Sequence, residues 1–185
     1  MRYSEVIVAE KPAVAVAFAK YLSGGAYRRL SVEGVKAFEF ELDGRLALSI
    51  GLSGHILDYD FPERYNKWTA VDPRELFYVK PVIVVREGAG KYVRALRRLA
   101  AETKRVILAL DADVEGECIA FEVMRIMSAV NPDLEFKRAW FSAVTPEDIR
   151  EAMRNLREPN PLLANKAAAR MIVDLTIGAA FTRLI

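Results

Sequence analysis

The sequence predicts an α/β fold: a central, mostly parallel sheet flanked by helices, with an added β-hairpin and the start of a helical segment at the C-terminal end. Three observations lead there. Two short apolar runs, Val6–Ala9 and Val106–Leu110, each stop at an acidic residue and hand over to helical periodicity. Such a run suits a buried strand and is too short for a helix. Residues 35–42 and 45–50 alternate apolar and polar side chains around Asp43-Gly44, a pair that supplies the positive φ angles of a two-residue hairpin turn.

The chain in order supports each element. Glu10-Lys11-Pro12 ends the first strand, and Pro12 opens a helix to about Leu22, because proline suits a helix's first turn. Gly24-Gly25 closes that helix. On the hairpin, Phe38, Phe40 and Leu42 are expected on the core face, with Leu46, Leu48 and Ile50 opposite them. Ser53-Gly54-His55-Ile56 follows, then a long irregular stretch through Trp68 to Phe77, a length that marks either a functional or a mobile loop. Residues 81–85 read as a strand. Residues 91–102 read as a helix with Val93, Leu96 and Leu99 inward. The basic window Lys91, Arg94, Arg97, Arg98, Lys104 and Arg105 is read as a solvated helix face, with a phosphate-tracking patch as the alternative.

After the strand at 106–110 a helix is expected from near Glu117 to Met127, then a strand over 138–142. Thr145-Pro146-Glu147-Asp148 has the pattern of a capped helix start, and that helix is expected to run to Leu156. The break at Arg157-Glu-Pro159-Asn-Pro161 suggests a domain edge, giving domains 1–157 and 158–185. The last segment, 161–185, is apolar-rich and helical with no capping signal at its end, so the chain is expected to be a fragment of a longer protein.

Composition narrows the function classes. A chain of 185 residues, 52% hydrophobic, can bury a substantial core. Its formal charge of +2 cannot drive nucleic-acid binding alone, so any such contact must come from local patches. The single cysteine, Cys118, excludes an internal disulfide and fits a reducing, cytoplasmic setting, with core packing as its role. No run spans a membrane, since Lys166, Arg170, Asp174 and Arg183 interrupt the last segment. Glutamine is absent, which with a charged fraction of 28% points weakly to a thermophilic source.

The stretch Asp111-Ala-Asp113-Val-Glu115-Gly116-Glu117 carries the chemistry. Carboxylates two apart in an extended chain share a side, so Asp111, Asp113 and Glu115 converge if the segment stays extended. Like charges that close need a cation. Oxygen donors favour a hard ion such as Mg²⁺, held by one or two carboxylates with water and phosphate oxygens. Glu10 also ends a strand, and ligands bind outside the carboxyl ends of strands in open parallel sheets. If both strands are central, Glu10 joins the three acids.

This arrangement resembles the Toprim domain of topoisomerases, some primases and some nucleases. Val6-Ile-Val-Ala-Glu10-Lys11-Pro12, Ser53-Gly54-His55-Ile56 and Asp174-x-x-x-Gly178-x-x-x-Thr182-Arg183 narrow the resemblance to the N-terminal part of type IA DNA topoisomerases, in the archaeal topoisomerase I/III style. It covers nearly the whole chain. It implies that Asp111, Asp113 and Glu115 hold Mg²⁺ beside the scissile phosphodiester, that Glu10 is the general acid, and that Lys11 meets the phosphate. His55, Arg170, Asp174, Thr182 and Arg183 would contact DNA. The implied enzyme relaxes negatively supercoiled DNA by single-strand passage without ATP. Its partners are single-stranded and negatively supercoiled DNA and the remaining topoisomerase domains, with no membrane.

The family's catalytic tyrosine matches none of the seven tyrosines here, which are expected to pack, so this stretch alone is expected to bind metal without cleaving DNA. Two positions depart from the family pattern. Val114 stands where many members carry arginine, and Val14 stands where relatives with Glu-Ser-Pro carry lysine, leaving Lys11 to supply that charge. The alternatives are another Toprim enzyme (a primase or nuclease), the topoisomerase part of a reverse gyrase, or a non-catalytic nucleic-acid module.

Overall fold

The computed structural model describes residues 2–67, 69 and 71–184; Trp68 and Ile185, in the expected loop and last helix, lie outside them. The two apolar runs form neighbouring strands. β1 (Glu5–Ala9) and β7 (Arg105–Ala109) pair in parallel, Val6 beside Val106 and Ala9 beside Ala109. Both are buried on both faces, as parallel strands between helical layers must be. Successive side chains take opposite sides. Val6, Val8, Val106 and Leu108 share one core with α2 (Gly90–Glu102) and α3 (Val114–Ser128). Ile7, Ala9, Ile107 and Ala109 share the other with α1 (Pro12–Leu22) and α4 (Pro146–Arg154).

β1 also pairs in parallel with β4 (Arg45–Gly51), and β7 with β8 (Glu135–Arg138). β3 (Val35–Leu42) and β2 (Tyr27–Val32) add antiparallel strands at one edge, giving the order β2-β3-β4-β1-β7-β8. The expected hairpin is present, with Asp43 and Gly44 at φ 51° and 73°. β2 was not anticipated. It reaches β3 through a second two-residue turn, Glu33-Gly34, also at positive φ.

The expected facing of the hairpin is corrected. The two-residue turn sets Leu42 opposite Arg45, so Phe38 faces Ser49 and Phe40 faces Ala47. Phe38 and Phe40 therefore pack under α1, while Leu48 and Ile50 enter the core on the other side. Both faces of this antiparallel pair are covered, so one apolar face was the wrong assumption.

The strand expected at 138–142 ends at Arg138, where the backbone turns to bridge Arg157. Thr145 caps α4, its hydroxyl accepting from Asp148 N–H at 3.2 Å, and the helix stops at Arg154. The expected irregular stretch holds a further strand, β5 (Leu57–Asp60), paired antiparallel with β6 (Val82–Val85) apart from the main sheet, and 3₁₀ turns at Glu63–Tyr65 and Pro73–Tyr78. The last helix, α5 (Pro161–Leu184), is capped by Asn160, whose side-chain oxygen accepts from Leu162 N–H at 3.0 Å. It lies against α3 and the Pro73–Tyr78 turn, burying Ala164, Ala167 and Ala180. Among the described residues no helix is long and apolar enough to cross a membrane.

Candidate functional site

Three strand ends meet at the carboxyl edge of the sheet: β1 runs into Glu10-Lys11, β4 into Gly51 and the loop to His55, β7 into the acidic motif. Backbone bonds tie the loop to β1, Leu52 N–H donating to Ala9 O at 2.8 Å and Gly54 N–H to Glu10 O at 3.2 Å. Gly51 makes room for the start of α1: a Cβ there would stand 2.4 Å from Pro12 Cα. Both α1 and α3 begin at this edge, so their N-terminal N–H groups and positive dipole ends point toward it.

Lys11 joins the first and third strand ends. Its Nζ lies 3.2 Å from Glu10 Oε1 and 3.8 Å from Asp111 Oδ2. Glu10 and Asp111, 101 positions apart in sequence, thus share one pocket. The hydrogen bond to Glu10, with the Asp111 charge behind it, holds the ammonium pKa above its usual value.

The acidic motif does not stay extended, which corrects the expected alternation. Asp113 is extended (φ −141°, ψ −177°) but caps α3, its Oδ1 accepting from Gly116 N–H at 2.7 Å. The helix therefore starts at Val114, three residues ahead of the position expected, and Glu115 sits in its first turn. Gly116 is required, because a Cβ there would lie 2.2 Å from the Asp111 carbonyl oxygen. Glu115 turns to His55 Nε2 at 3.1 Å and to Arg170 Nη1 at 3.3 Å. Asp111, Asp113 and Glu115 do not bring donor oxygens within 4.8 Å of one another; among the described residues the group that does is His55, Cys118 and Glu122.

The donor set still suits a hard ion. Asp111 and Glu115 side chains are each 43% exposed, with oxygens that remain open to further ligands. Separated carboxylates match Mg²⁺, which takes one or two and completes its shell with water and phosphate. An all-protein cage does not fit.

The remaining residues named from sequence divide into two groups. Arg170 reaches Glu115 and also pairs with Asp174 at 3.6 Å across one helical turn. Thr182 and Arg183 lie further along α5. Thr182 donates to the Gly178 carbonyl, and Arg183 Nη1 to the Tyr65 carbonyl, both at 2.6 Å. The basic window pairs largely with its own surroundings, Arg98 with Glu33 and Glu102 and Arg105 with Glu135. Of the tyrosines, Tyr3 is buried with its phenol pushed up to about 12, burial being the main cause, but Tyr78 is 91% exposed and does not pack.

Three residues were missed. Glu122 is buried and accepts from His55 Nδ1 at 2.6 Å, Ile56 N–H at 2.7 Å and Leu57 N–H at 3.0 Å, fixing the histidine loop against α3. Its bond, more than its charge or that of Glu115, raises the His55 pKa against the opposing effect of burial. Seven residues after Glu115, it lies two turns along the same helix face, a spacing that could have flagged it. Glu117 and Arg138 form a buried ion pair at 2.9 Å. Arg138 also donates to the carbonyls of Leu108, Leu110, Asp111 and Ala139. Glu117 accepts from Asn160 N–H at 2.6 Å, joining the start of α5 to the floor of the site.

Comparison with known proteins gives the family to which the chain is similar. The Toprim domain model matches residues 5–144. DNA topoisomerase 3-alpha of Arabidopsis thaliana is 39% identical over 182 residues, which is 95% of this chain and 20% of that protein. DNA topoisomerase 1 of Archaeoglobus fulgidus is 39% identical over 139 residues, 75% of this chain and 21% of that one. Full-length topoisomerase I from Thermotoga maritima superposes with a TM-score of 0.57 at 29% identity, over 92% of this chain and 24% of that structure. The chain thus spans about a fifth of the length of the curated relatives it matches.

Proposed function

This chain belongs to the Toprim domain family, with homology to type IA topoisomerases, and from that premise we propose that it serves the cleavage and religation chemistry of a DNA topoisomerase. In this reading Asp111, Asp113 and Glu115 are the residues among which Mg²⁺ would find its one or two carboxylates, and when bound it would offset the charge of a phosphodiester and orient it. Lys11, drawn between Glu10 and Asp111, meets the phosphate as a fixed positive charge. Glu10, 15% exposed and against Lys11, takes the part of the general acid for a leaving oxygen in this proposal. The N-termini of α1 and α3 add N–H groups facing the same anion. Arg170 and Asp174 flank the approach, and Thr182, Arg183 and His55 belong to the DNA-facing surface in this proposal.

The observation that carries the reading is the Lys11 bridge, which brings the end of β1 and the acidic motif into one pocket. The nucleophilic tyrosine of such a reaction is assigned to none of the tyrosines described here. The whole activity, ATP-independent relaxation of negatively supercoiled DNA, is the corresponding proposal for the enzyme to which this chain contributes.

Titrating Mg²⁺ into the chain by calorimetry tests the first step. Binding should vanish in the Asp111→Asn/Asp113→Asn double variant. Binding that survives there would leave the acids as turn-formers only. Incubation with Mg²⁺ and labelled single-stranded DNA should leave the strand intact, whereas free nicked products would favour a Toprim nuclease.

A further inference from the structure

Behind the acidic motif, on the side of α3 that faces β5 and α5, three different donors converge. His55, Cys118 and Glu122 each offer a ligand atom within 4.8 Å of the other two, and Cys118 and Glu122 are buried. Cys118 and Glu122 are four positions apart, so they stack on successive turns of one helix face. The His55 loop is pinned above them by the two backbone N–H groups that Glu122 Oε2 accepts.

We propose that His55, Cys118 and Glu122 form a binding site for a single thiophilic divalent cation of the Zn²⁺ type, with no ligand in common with the hard-cation acids, of which Glu115 alone touches it from the outer shell. The donor chemistry points to that class. Imidazole, thiolate and carboxylate together match zinc, whereas magnesium takes oxygen alone. Around a tetrahedral ion with bonds of about 2.0–2.3 Å, ligand atoms stand roughly 3.3–3.8 Å apart. His55 Nδ1 and Glu122 Oε1 now touch at 2.6 Å, so the ion inserts by parting them less than about 1 Å and drawing the sulfur in.

The outer shell is already built. His55 ligates through Nδ1 in the tautomer that carries hydrogen on Nε2, and that N–H meets Glu115 Oε2 at 3.1 Å. A carboxylate behind a ligating imidazole is the usual means of fixing its tautomer and orientation. An entry path exists: a cavity of about 350 Å³, lined by Leu57, Tyr59, Cys118, Glu122 and Ala164, opens beside the group. Burial, reinforced by the negative charges of Glu122 and Glu115, pushes the Cys118 thiol up to about 12, so the free site holds it protonated. An arriving dication supplies the positive charge that the thiolate lacks. The thiol proton goes to solvent and the sulfur–metal bond replaces the S–H bond; the Nδ1 proton that His55 donates to Glu122 is likewise released, leaving hydrogen on Nε2 and the Nδ1 lone pair for the metal. The cavity leaves a fourth position for water.

Titration of the 185-residue chain with Co²⁺, a spectroscopic substitute for Zn²⁺, provides the test. One equivalent should produce a thiolate-to-cobalt charge-transfer absorption, displaced on adding Zn²⁺. In Cys118→Ser the band should vanish and Zn²⁺ affinity fall by more than the roughly 10- to 100-fold that an outer-shell partner is worth. His55→Ala should weaken binding as well, with far-ultraviolet circular dichroism confirming that both variants fold. The Asp111→Asn/Asp113→Asn variant should lose Mg²⁺ and keep the cobalt band, which separates this site from the proposed catalytic one. No band in the unaltered chain, or a band retained in Cys118→Ser, overturns the proposal.

Discussion

At the end of β7 two groups of opposite charges lie on either side of the Asp111 backbone. Beneath it, Arg138 and Glu117 have side chains only 1% exposed, and both ends are saturated with hydrogen bonds. Above it, Lys11, Asp111, Glu115 and Arg170 have side chains 43–72% exposed and keep oxygens and N–H groups for ligands. The same residue types are locked into scaffold in one place and left open to further contacts in the other. Burial decides which, because an ion pair out of water is held only when all its valences are met, while an exposed one is screened and easily rearranged.

The largest effect should come from breaking the lower pair. Arg138→Ala leaves the Glu117 charge buried and removes the donor to four carbonyls, so a loss of about 3–5 kcal/mol in urea unfolding is expected. Lys11→Ala, across the same backbone, should cost less than about 1 kcal/mol. Equal losses for the two would mean that burial does not divide the two groups.

Gly116→Ala should come next. A new Cβ at 2.2 Å from the Asp111 carbonyl oxygen meets backbone rather than a side chain that could move aside, so the turn itself must shift, at about 1–3 kcal/mol. Mg²⁺ binding should fall with it, because the shift moves Asp111. A variant that keeps full Mg²⁺ affinity while losing stability would show that the two groups are not joined through this turn.

Glu122→Ala is expected to cost a similar or smaller amount, about 1–3 kcal/mol, by leaving the Ile56 and Leu57 N–H groups buried without an acceptor. It also has a pH signature. The His55 pKa is raised above 6.5, chiefly by its bond to Glu122. Its contribution to stability is therefore fully present below about 6.5 and is lost as pH rises through the raised value. An NMR titration of this single histidine should show its midpoint fall in the variant. An unchanged midpoint would remove Glu122 from the account of His55.

The sequence revealed the exposed group far better than the buried one. Strand-end acids announce themselves, since Glu10, Asp111, Asp113 and Glu115 interrupt apolar runs, and an Asp-Gly turn sets its own φ angles. Arg138 gave no local signal: it closes a short strand, and its partners at Glu117 and the β7 carbonyls are distant in sequence or unlabelled by side-chain type. The hairpin misled for a related reason. Its alternation was read as one buried face, yet α1 covers Phe38 and Phe40 while α2 and α3 cover the side that holds Leu48. Only the tertiary layers decide that. The expected convergence of the three acids failed because Asp113 capping α3 competes with an extended backbone, and the Thr145 pattern that was recognised as a cap is the same chemistry.

The smallest change in stability should be at Arg170, where the contrast takes its sharpest form. Arg170 pairs with Glu115 at 3.3 Å and Asp174 at 3.6 Å, yet its side chain is 72% exposed, so Arg170→Ala should alter unfolding by no more than about 0.5 kcal/mol. Its effect on ligands should have the opposite sign for cation and DNA. Removing a positive charge beside Glu115 strengthens Mg²⁺ binding by about two- to five-fold, the size of one exposed charge interaction in water. It should weaken single-stranded DNA binding, most at low salt where screening is least. Calorimetry with Mg²⁺ and a fluorescence titration with an oligonucleotide read the two effects separately. Mg²⁺ affinity that drops with Arg170 removed would mean the guanidinium holds Glu115 in its metal-binding position, and that the upper group too is partly scaffold.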